Sequence, residues 1–261
     1  MQVPKISIAI IAHNEARNLP RALGSVQWAD EIVVVDTSST DETGEIARRR
    51  GAKVAVQPNL SNLNVNKNYA IDFCCGDWIL ILDADEVVPD LLAGEIRRAL
   101  AAPSAVGYDL PRRNFMMGKW LRYGSQYPDY QRRLFQRGKG RFAAAHIHER
   151  LTVNGKVGYL EEPLEHYPYI TIESLVCKGI RDVEFEAEFL HKKGKTATIG
   201  SIWLNGIIKP SIRFVRRYIF KGGFLDGTPG LVIALFDAWN TTQRWLRLWE
   251  KVKSRDIKSI A

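Results

Sequence analysis

Two carboxylates separated by one residue, Asp83 and Asp85 in Leu82-Asp-Ala-Asp-Glu86, are the sharpest chemical feature of this sequence. In an extended segment, side chains two residues apart project to the same side. One carboxylate can then take a hard divalent cation, Mg2+ or Mn2+, while the other meets a ribose hydroxyl or a metal-bound water. Two further polar clusters, His13-Asn14-Glu15 and Asp36-Thr-Ser-Ser-Thr-Asp41, suit the same work. Taken singly, each has a plainer reading: a solvated turn, or a helix cap. Taken together they share a position, because each closes an apolar run of strand length.

The elements that must position them follow from periodicity. Lys5 to Ala12 reads as a strand, with Asn14 as the N-cap of a helix through Leu23. Glu31 to Asp36 is a strand of the buried type, and Ser39, Thr40 and Asp41 supply capping oxygens for a helix ending at Gly51. Lys53 to Gln57 is a third strand, followed by a helix from Asn64 to Cys75 with Gly76 just beyond it. Asp77 to Leu82 is a fourth, followed by a helix from Pro89 to Ala101. Alternation at this spacing demands crossover connections, so the class is α/β. The sheet should be Rossmann-like, mostly parallel and covered by helices on both faces. Ligands of such sheets bind beyond the carboxyl ends of the strands, where these clusters lie. Tyr108 to Arg112, Arg132 to Gln136 and Lys156 to Leu160 read as strands of a smaller mixed region, and long helical patterns return from Ile172. No GxGxxG follows the first strand and no GxxxxGK[ST] occurs, which argues against dinucleotide and ATPase readings.

Hydrophobic content of 46% and charged content of 25% are those of an ordinary globular chain. Cys74, Cys75 and Cys177 form neither a disulfide framework nor a CxxC pair. No run reaches the roughly 18 to 20 apolar residues that cross a bilayer, and Gly230 to Trp239 is interrupted by Asp237. The opening residues lack a secretory signal pattern, so a cytoplasmic location is expected. Residues 170–261 carry 16 Lys/Arg against nine Asp/Glu, which is +7 of the net +8. Within them Arg213, Arg216, Arg217 and Lys221 fall on one side of a helical projection. Arg244, Arg247 and Lys251 fall on one side of another. Such helices either lie on an anionic membrane surface or pack their apolar sides on the rest of the protein. A nucleic-acid partner would also suit a pI of 9.4, but three acids at Asp83, Asp85 and Glu86 would repel a phosphate backbone. No nucleic-acid partner is expected.

The series Ile8-Ala-Ile-Ile-Ala-His-Asn-Glu15, Val35-Asp-Thr-Ser-Ser-Thr-Asp-Glu-Thr43, Asn66-Lys-Asn-Tyr-Ala70 and Leu82-Asp-Ala-Asp-Glu86 resembles glycosyltransferase family 2, the inverting enzymes of GT-A fold. Asp129-Tyr-Gln-Arg-Arg-Leu-Phe135, His146-Ile-His-Glu-Arg150 and Gly222-Gly-Phe-Leu-Asp-Gly227 resemble its lipopolysaccharide core β-1,4-glucosyltransferase branch. The resemblance implies a GT-A catalytic domain over 1–170, with a nucleotide-sugar half to about 101 and an acceptor half from about 102 to 170. A basic, Trp-rich helical region would occupy 171–261.

Carried over by position, it implies Asp36 at the nucleotide base with His13, Asn14 and Glu15 lining the pocket. Lys67 would face the diphosphate, Asp83 the ribose and Asp85 the metal, with Asp83 and His148 as possible further ligands. Arg132 and Arg133 would contact donor phosphate or an anionic acceptor, and Glu149 would be the catalytic base. The implied reaction moves a hexose, with glucose from UDP-glucose first in order, to a lipid-linked saccharide. A polyprenyl-phosphate acceptor is the alternative. The enzyme would sit peripherally on the inner face of the cytoplasmic membrane.

Overall fold

A computed structural model describes residues 4–60, 62–143 and 150–258, with backbone alone for 254–258. The chain forms two compact units, Met1–Arg113 with Asp129–His166, and Asn114–Pro128 with Tyr167–Ala261.

The first unit opens with β1 (Ile6–Ala12), α1 (Leu19–Gly24), β2 (Glu31–Asp36), α2 (Thr43–Arg49) and β3 (Lys53–Val56). It continues with α3 (Leu63–Phe73), β4 (Trp78–Asp83), β5 (Glu86–Val87) and α4 (Asp90–Ala101). As the alternation requires, β1 pairs in parallel with both β2 and β4, and β2 pairs in parallel with β3. Next come β6 (Gly107–Met116), β7 (Lys119–Trp120), β8 (Asp129–Gln136), β9 (Gly140–Phe142), β10 (Leu151–Val153), β11 (Val157–Tyr159) and β12 (Leu164–Tyr169). The sheet runs β3-β2-β1-β4-β8-β6-β12-β5, with β7 and β11 also on β6, and β9 pairs with β10 separately. The pairing turns antiparallel where β8 meets β4.

Alternation within the strands fills both faces. Ile8 and Ile10 of β1, with Leu80 and Leu82 of β4, pack against Leu19 and Leu23 of α1 and Leu92 and Ile96 of α4. The intervening Ala9, with Val33, Val35, Ile79 and Ile81, faces Ala70 and Ile71 of α3. Each large aliphatic side chain removed from water this way contributes about 1.5 to 3 kcal/mol, and β1, buried on both sides, is the axis of the layer. One local expectation is corrected. Asn14 does not cap a helix: it sits at φ 54°, and α1 begins at Leu19 with Asn18 as its N-cap. Its side chain is committed to the loop after β2 instead, as described below.

The second unit is helical apart from β7 and the ends of β6 and β12. Helix α5 (Ile172–Lys192) starts at a reciprocal cap between Thr171 and Ser174. Helix α6 (Ile199–Phe220) passes through two π-type stretches, Ile202–Ile208 and Arg216–Phe220. A 3-10 turn over Gly223–Asp226 leads into α7 (Gly227–Lys258). The Gly222-Gly-Phe-Leu-Asp-Gly227 motif is structural. Gly222 and Gly227 take φ 68° and 66°, and the buried Asp226 carboxylate accepts the backbone N–H groups of Arg122 at 3.2 Å and Tyr123 at 2.9 Å. Asp237 forms ion pairs with Arg213 at 2.6 Å and Arg217 at 2.8 Å. Lys251 meets Glu184 at 2.5 Å and Glu188 at 3.1 Å, and Arg244 meets Glu186 at 3.7 Å. Much of the basic sequence on α7 therefore answers acids of α5.

At the amino ends of the strands, the Glu31 carboxylate accepts the Cys75 N–H at 2.7 Å and the Ser7 hydroxyl, and pairs with Lys53 at 2.6 Å. Burial opposes its ionisation, but these bonds prevail and hold the group at about 2. A depressed carboxyl contributes stability that is complete above the unfolded value of about 4.3 and is lost as pH falls toward 2. We predict that Glu31→Ala lowers unfolding free energy by about 2 kcal/mol at neutral pH, measured by urea titration. The difference from wild type should shrink between pH 4 and pH 2.

Candidate active site

The parallel register brings the expected residues to one rim. Ala12 of β1 lies opposite Asp36 of β2, and Ile11 lies opposite Asp83 of β4. Asp36 and Asp83 therefore flank the end of one central strand, roughly 10 Å apart by strand spacing.

The β1 and β2 loops are joined by hydrogen bonds. Nδ1 of His13 donates to the Thr37 carbonyl at 2.7 Å. The Asn14 N–H donates to Ser39 Oγ at 2.9 Å, and Asn14 Oδ1 accepts the Thr40 N–H at 2.8 Å. The Glu15 N–H donates to Thr43 Oγ1 at 2.8 Å, and the Ala16 N–H donates to Asp41 at 3.2 Å. Burial works against ionisation of Asp41, but bonds from the Thr43 hydroxyl and N–H and from the Ala16 N–H outweigh it and lower the carboxyl. Asp36 itself is buried and accepts the Ser39 N–H at 2.9 Å. A Cβ placed on Gly44 would stand 2.6 Å from Asp36 Oδ2, so only glycine lets the first turn of α2 come this close to the carboxylate.

At the end of β4 the acids meet cations from three elements. Lys67, on α3, lies 2.8 Å from Asp83 Oδ1, and Arg133, on β8, donates to Asp83 Oδ2. The fully buried Glu86 accepts the Asp83 N–H at 2.9 Å, Arg133 Nη2 at 2.8 Å and Arg112 Nη1 at 3.1 Å. Arg112 also forks onto Asp129 at 2.7 and 3.0 Å. The packed surroundings oppose ionisation of Asp83, but Arg133 and Lys67 overcome them and hold it well below the usual range. Burial likewise opposes the Arg133 charge, and Asp83 and Glu86 raise it above that of an ordinary arginine. Asp85 is buried beside these groups, and its Oδ1 lies 3.6 Å from Nε2 of His166 on β12. Antiparallel pairing of β12 with β5, which places His166 opposite Glu86, produces that approach.

The rim thus holds His13, Asn14, Glu15 and Asp36 in one cluster and Lys67, Asp83, Asp85 and Arg133 in the other. Arg132 projects to the opposite side of β8 and pairs with Asp109 at 2.8 Å, as alternation along a strand requires. His148 and Glu149 lie outside the described residues. Sequence reasoning passed over Gly44, Arg112 and His166. A lone histidine in Leu-Glu-His-Tyr-Pro-Tyr carries no motif, and only strand pairing reveals its neighbour.

The sequence profile described as Glycosyl transferase family 2 matches residues 7–166, more than half of the chain and all of both clusters. The chain belongs to this family. An uncharacterized glycosyltransferase of Rickettsia felis is 32% identical to this glycosyltransferase over 97% of its length and 93% of the relative's. The lipopolysaccharide core biosynthesis glycosyltransferase LpsC of Rhizobium meliloti is 26% identical over 93% of this chain and 94% of its own. Among solved structures, the mannosyltransferase PcManGT of Pyrobaculum calidifontis, in complex with GDP-Man and Mn2+, superposes with a TM-score of 0.50. That match has 16% identity and covers 96% of this chain and 89% of that one. The fold is therefore GT-A, with an appended helical region.

Removing one partner of a buried ion cluster strands the other, at about 3 to 5 kcal/mol. Arg133→Met should therefore destabilise this glycosyltransferase by that amount in urea titration and carry the Asp83 carboxyl upward. Arg133→Lys should recover only part, because both bonds leave from Nη2 at the far end of the guanidinium, and the shorter lysine brings a more strongly hydrated ammonium to the same buried place.

Proposed function

We propose that this family 2 glycosyltransferase transfers a hexose, with inversion, from a nucleoside diphosphate sugar to a hydroxyl of a lipid-linked saccharide. UDP-glucose is the first candidate donor. The observation that carries the reading is the common rim of Asp36, Asp83 and Asp85, with Lys67 and Arg133 against the acids. Similarity to LpsC supports a core-saccharide acceptor.

In this reading Asp36 accepts from the base, with His13, Asn14 and Glu15 shaping the pocket, and Asp83 accepts from the ribose. Asp85 and His166 suit Mn2+ or Mg2+. They offer a carboxylate oxygen and an imidazole nitrogen 3.6 Å apart, a separation two ligands of one small cation can share. No further His, Cys, Asp or Glu among the described residues completes a set of three, which leaves positions for phosphate and water oxygens. When bound, the cation neutralises charge on the departing diphosphate. Lys67 and Arg133 place fixed positive charge near the same point, the condition under which preorganised electrostatics lowers a barrier. As the acceptor oxygen bonds to the anomeric carbon and the bond to diphosphate breaks, the hydroxyl proton passes to a carboxylate. Glu149 is assigned that role, and His148 an accessory one at the metal.

Thermal-shift measurements with UDP and GDP, each with and without Mn2+, test the donor site. A saturating diphosphate at about a hundredfold its Kd should stabilise the protein by about 2.7 kcal/mol only with metal present. Asp85→Ala and His166→Ala should abolish that gain. Absence of metal-dependent stabilisation by any nucleoside diphosphate would refute the reading. Glu149→Gln should keep donor binding while transfer to an isolated core-saccharide lipid falls about 10²- to 10⁴-fold. Unchanged turnover would move the base elsewhere.

A further inference from the structure

The apolar side of α6 is unusual for a globular surface. Ile199, Trp203, Leu204, Ile207, Ile208, Ile212, Val215, Ile219 and Phe220 are all exposed, and Ile199 and Phe220 at the two ends reach 78% and 79%. They extend along a helix of 22 residues, roughly 33 Å. The two π-type stretches explain their alignment. A π turn takes in more residues than the 3.6 of an α-helix, so side chains four apart, such as Trp203 and Ile207 or Val215 and Ile219, drift less around the axis. The opposite side packs inward: Gly206 and Pro210 are buried, and the Gly206 carbonyl accepts the Thr242 hydroxyl at 2.6 Å.

Charge identifies the occupant. Between Glu188 and Asp226 the sequence holds eight Lys/Arg and no Asp or Glu. Arg213 and Arg217 turn onto Asp237, while Lys209, Arg216 and Lys221 are exposed along the stripe. A second copy of the chain would bring this positive face against itself, because a two-fold interface pairs a patch with its own image. An anionic headgroup layer complements it and takes the apolar side chains beneath.

We infer that this face of α6 is a docking surface for an anionic phospholipid bilayer, lying in the interfacial plane with its apolar side chains inserted. No single helix among the described residues is long and apolar enough to cross a membrane; only α6 and the helix after it, taken together across a 69° bend, reach that length and composition. The sequence pattern pointed to cations as the contact, including those of α7. The structure gives the α7 cations to α5 and leaves insertion to α6. The inference deepens the glycosyltransferase reading and rests on it only for the acceptor the bilayer would carry.

Flotation of the whole protein tests it, with vesicles of phosphatidylglycerol and phosphatidylcholine and with vesicles of phosphatidylcholine alone. The protein should float with the anionic vesicles and less with the neutral ones, and should stay bound when salt is raised after binding, because inserted apolar groups are not screened. Trp203→Ser, Ile212→Ser and Phe220→Ser together should weaken flotation at least about tenfold, in line with the lost apolar insertion. Thermal shift by UDP with Mn2+ should be unchanged in that variant. Should the triple variant unfold, Phe220→Glu alone, at the most exposed position, should show the same loss. Flotation of the variants equal to wild type, or equal flotation on both vesicle types, overturns the surface. So does a dimer in sedimentation velocity that only the triple variant dissolves, with no vesicle binding by wild type. Those results leave donor binding intact, whereas loss of donor binding with flotation retained sinks the enzyme reading alone.

Discussion

An acidic turn can be carried into the packed rim of a sheet only if cations go with it. Asp83 closes β4 and Asp85 and Glu86 follow it directly, and isolated carboxylates there would take up protons. Arg133 from β8, Arg112 from β6 and Lys67 from α3 supply the compensation, and Glu86 also accepts the Asp83 N–H. The cluster therefore ties the parallel half of the sheet to the antiparallel half. It keeps Asp83 ionised and the turn in one conformation. In the proposed function, a nucleoside diphosphate reaching this rim would meet carboxylates already desolvated and fixed in place, so little reorganisation would accompany binding.

The β1 and β2 loops solve a milder problem in the same way. Asp36 is buried, and the Ser39 N–H and the close approach of Gly44 accommodate it, with no ion pair to it among the described residues. The proposed function uses that difference, assigning a neutral hydrogen-bonding base to Asp36 and a charged, metal-bridged diphosphate to the neighbourhood of Asp83 and Asp85. The two clusters are held together by β1, whose side chains enter the core on both faces.

The parallel half was legible because its signals are local. An isoleucine or valine run followed by a polar turn and a glycine-ended helix fixes strand, loop and crossover within about 25 residues. Asp36, Asp83 and Asp85 reached one rim because β2 and β4, parallel to β1 on either side, end at adjacent positions along it. Arg112 and His166 were not legible, since they depend on antiparallel pairing between strands far apart in sequence. The third residue of Leu-Glu-His-Tyr-Pro-Tyr gives no hint of the acid it meets. The basic C-terminal region was legible in amount but not in arrangement. Helical projection assumes 3.6 residues per turn, and the π-type stretches of α6 break that assumption. Composition also cannot show that Lys251 and Arg244 answer acids on α5.

The central claim is spatial: one rim holds both the nucleotide and the cation of the donor. A crystal structure with UDP-glucose and Mn2+, with anomalous data at the manganese edge, addresses it directly. The account predicts a manganese peak in contact with Asp85 and His166 and uracil density against Asp36. Manganese or nucleotide bound reproducibly at another place, with these residues still paired as they are here, would contradict it.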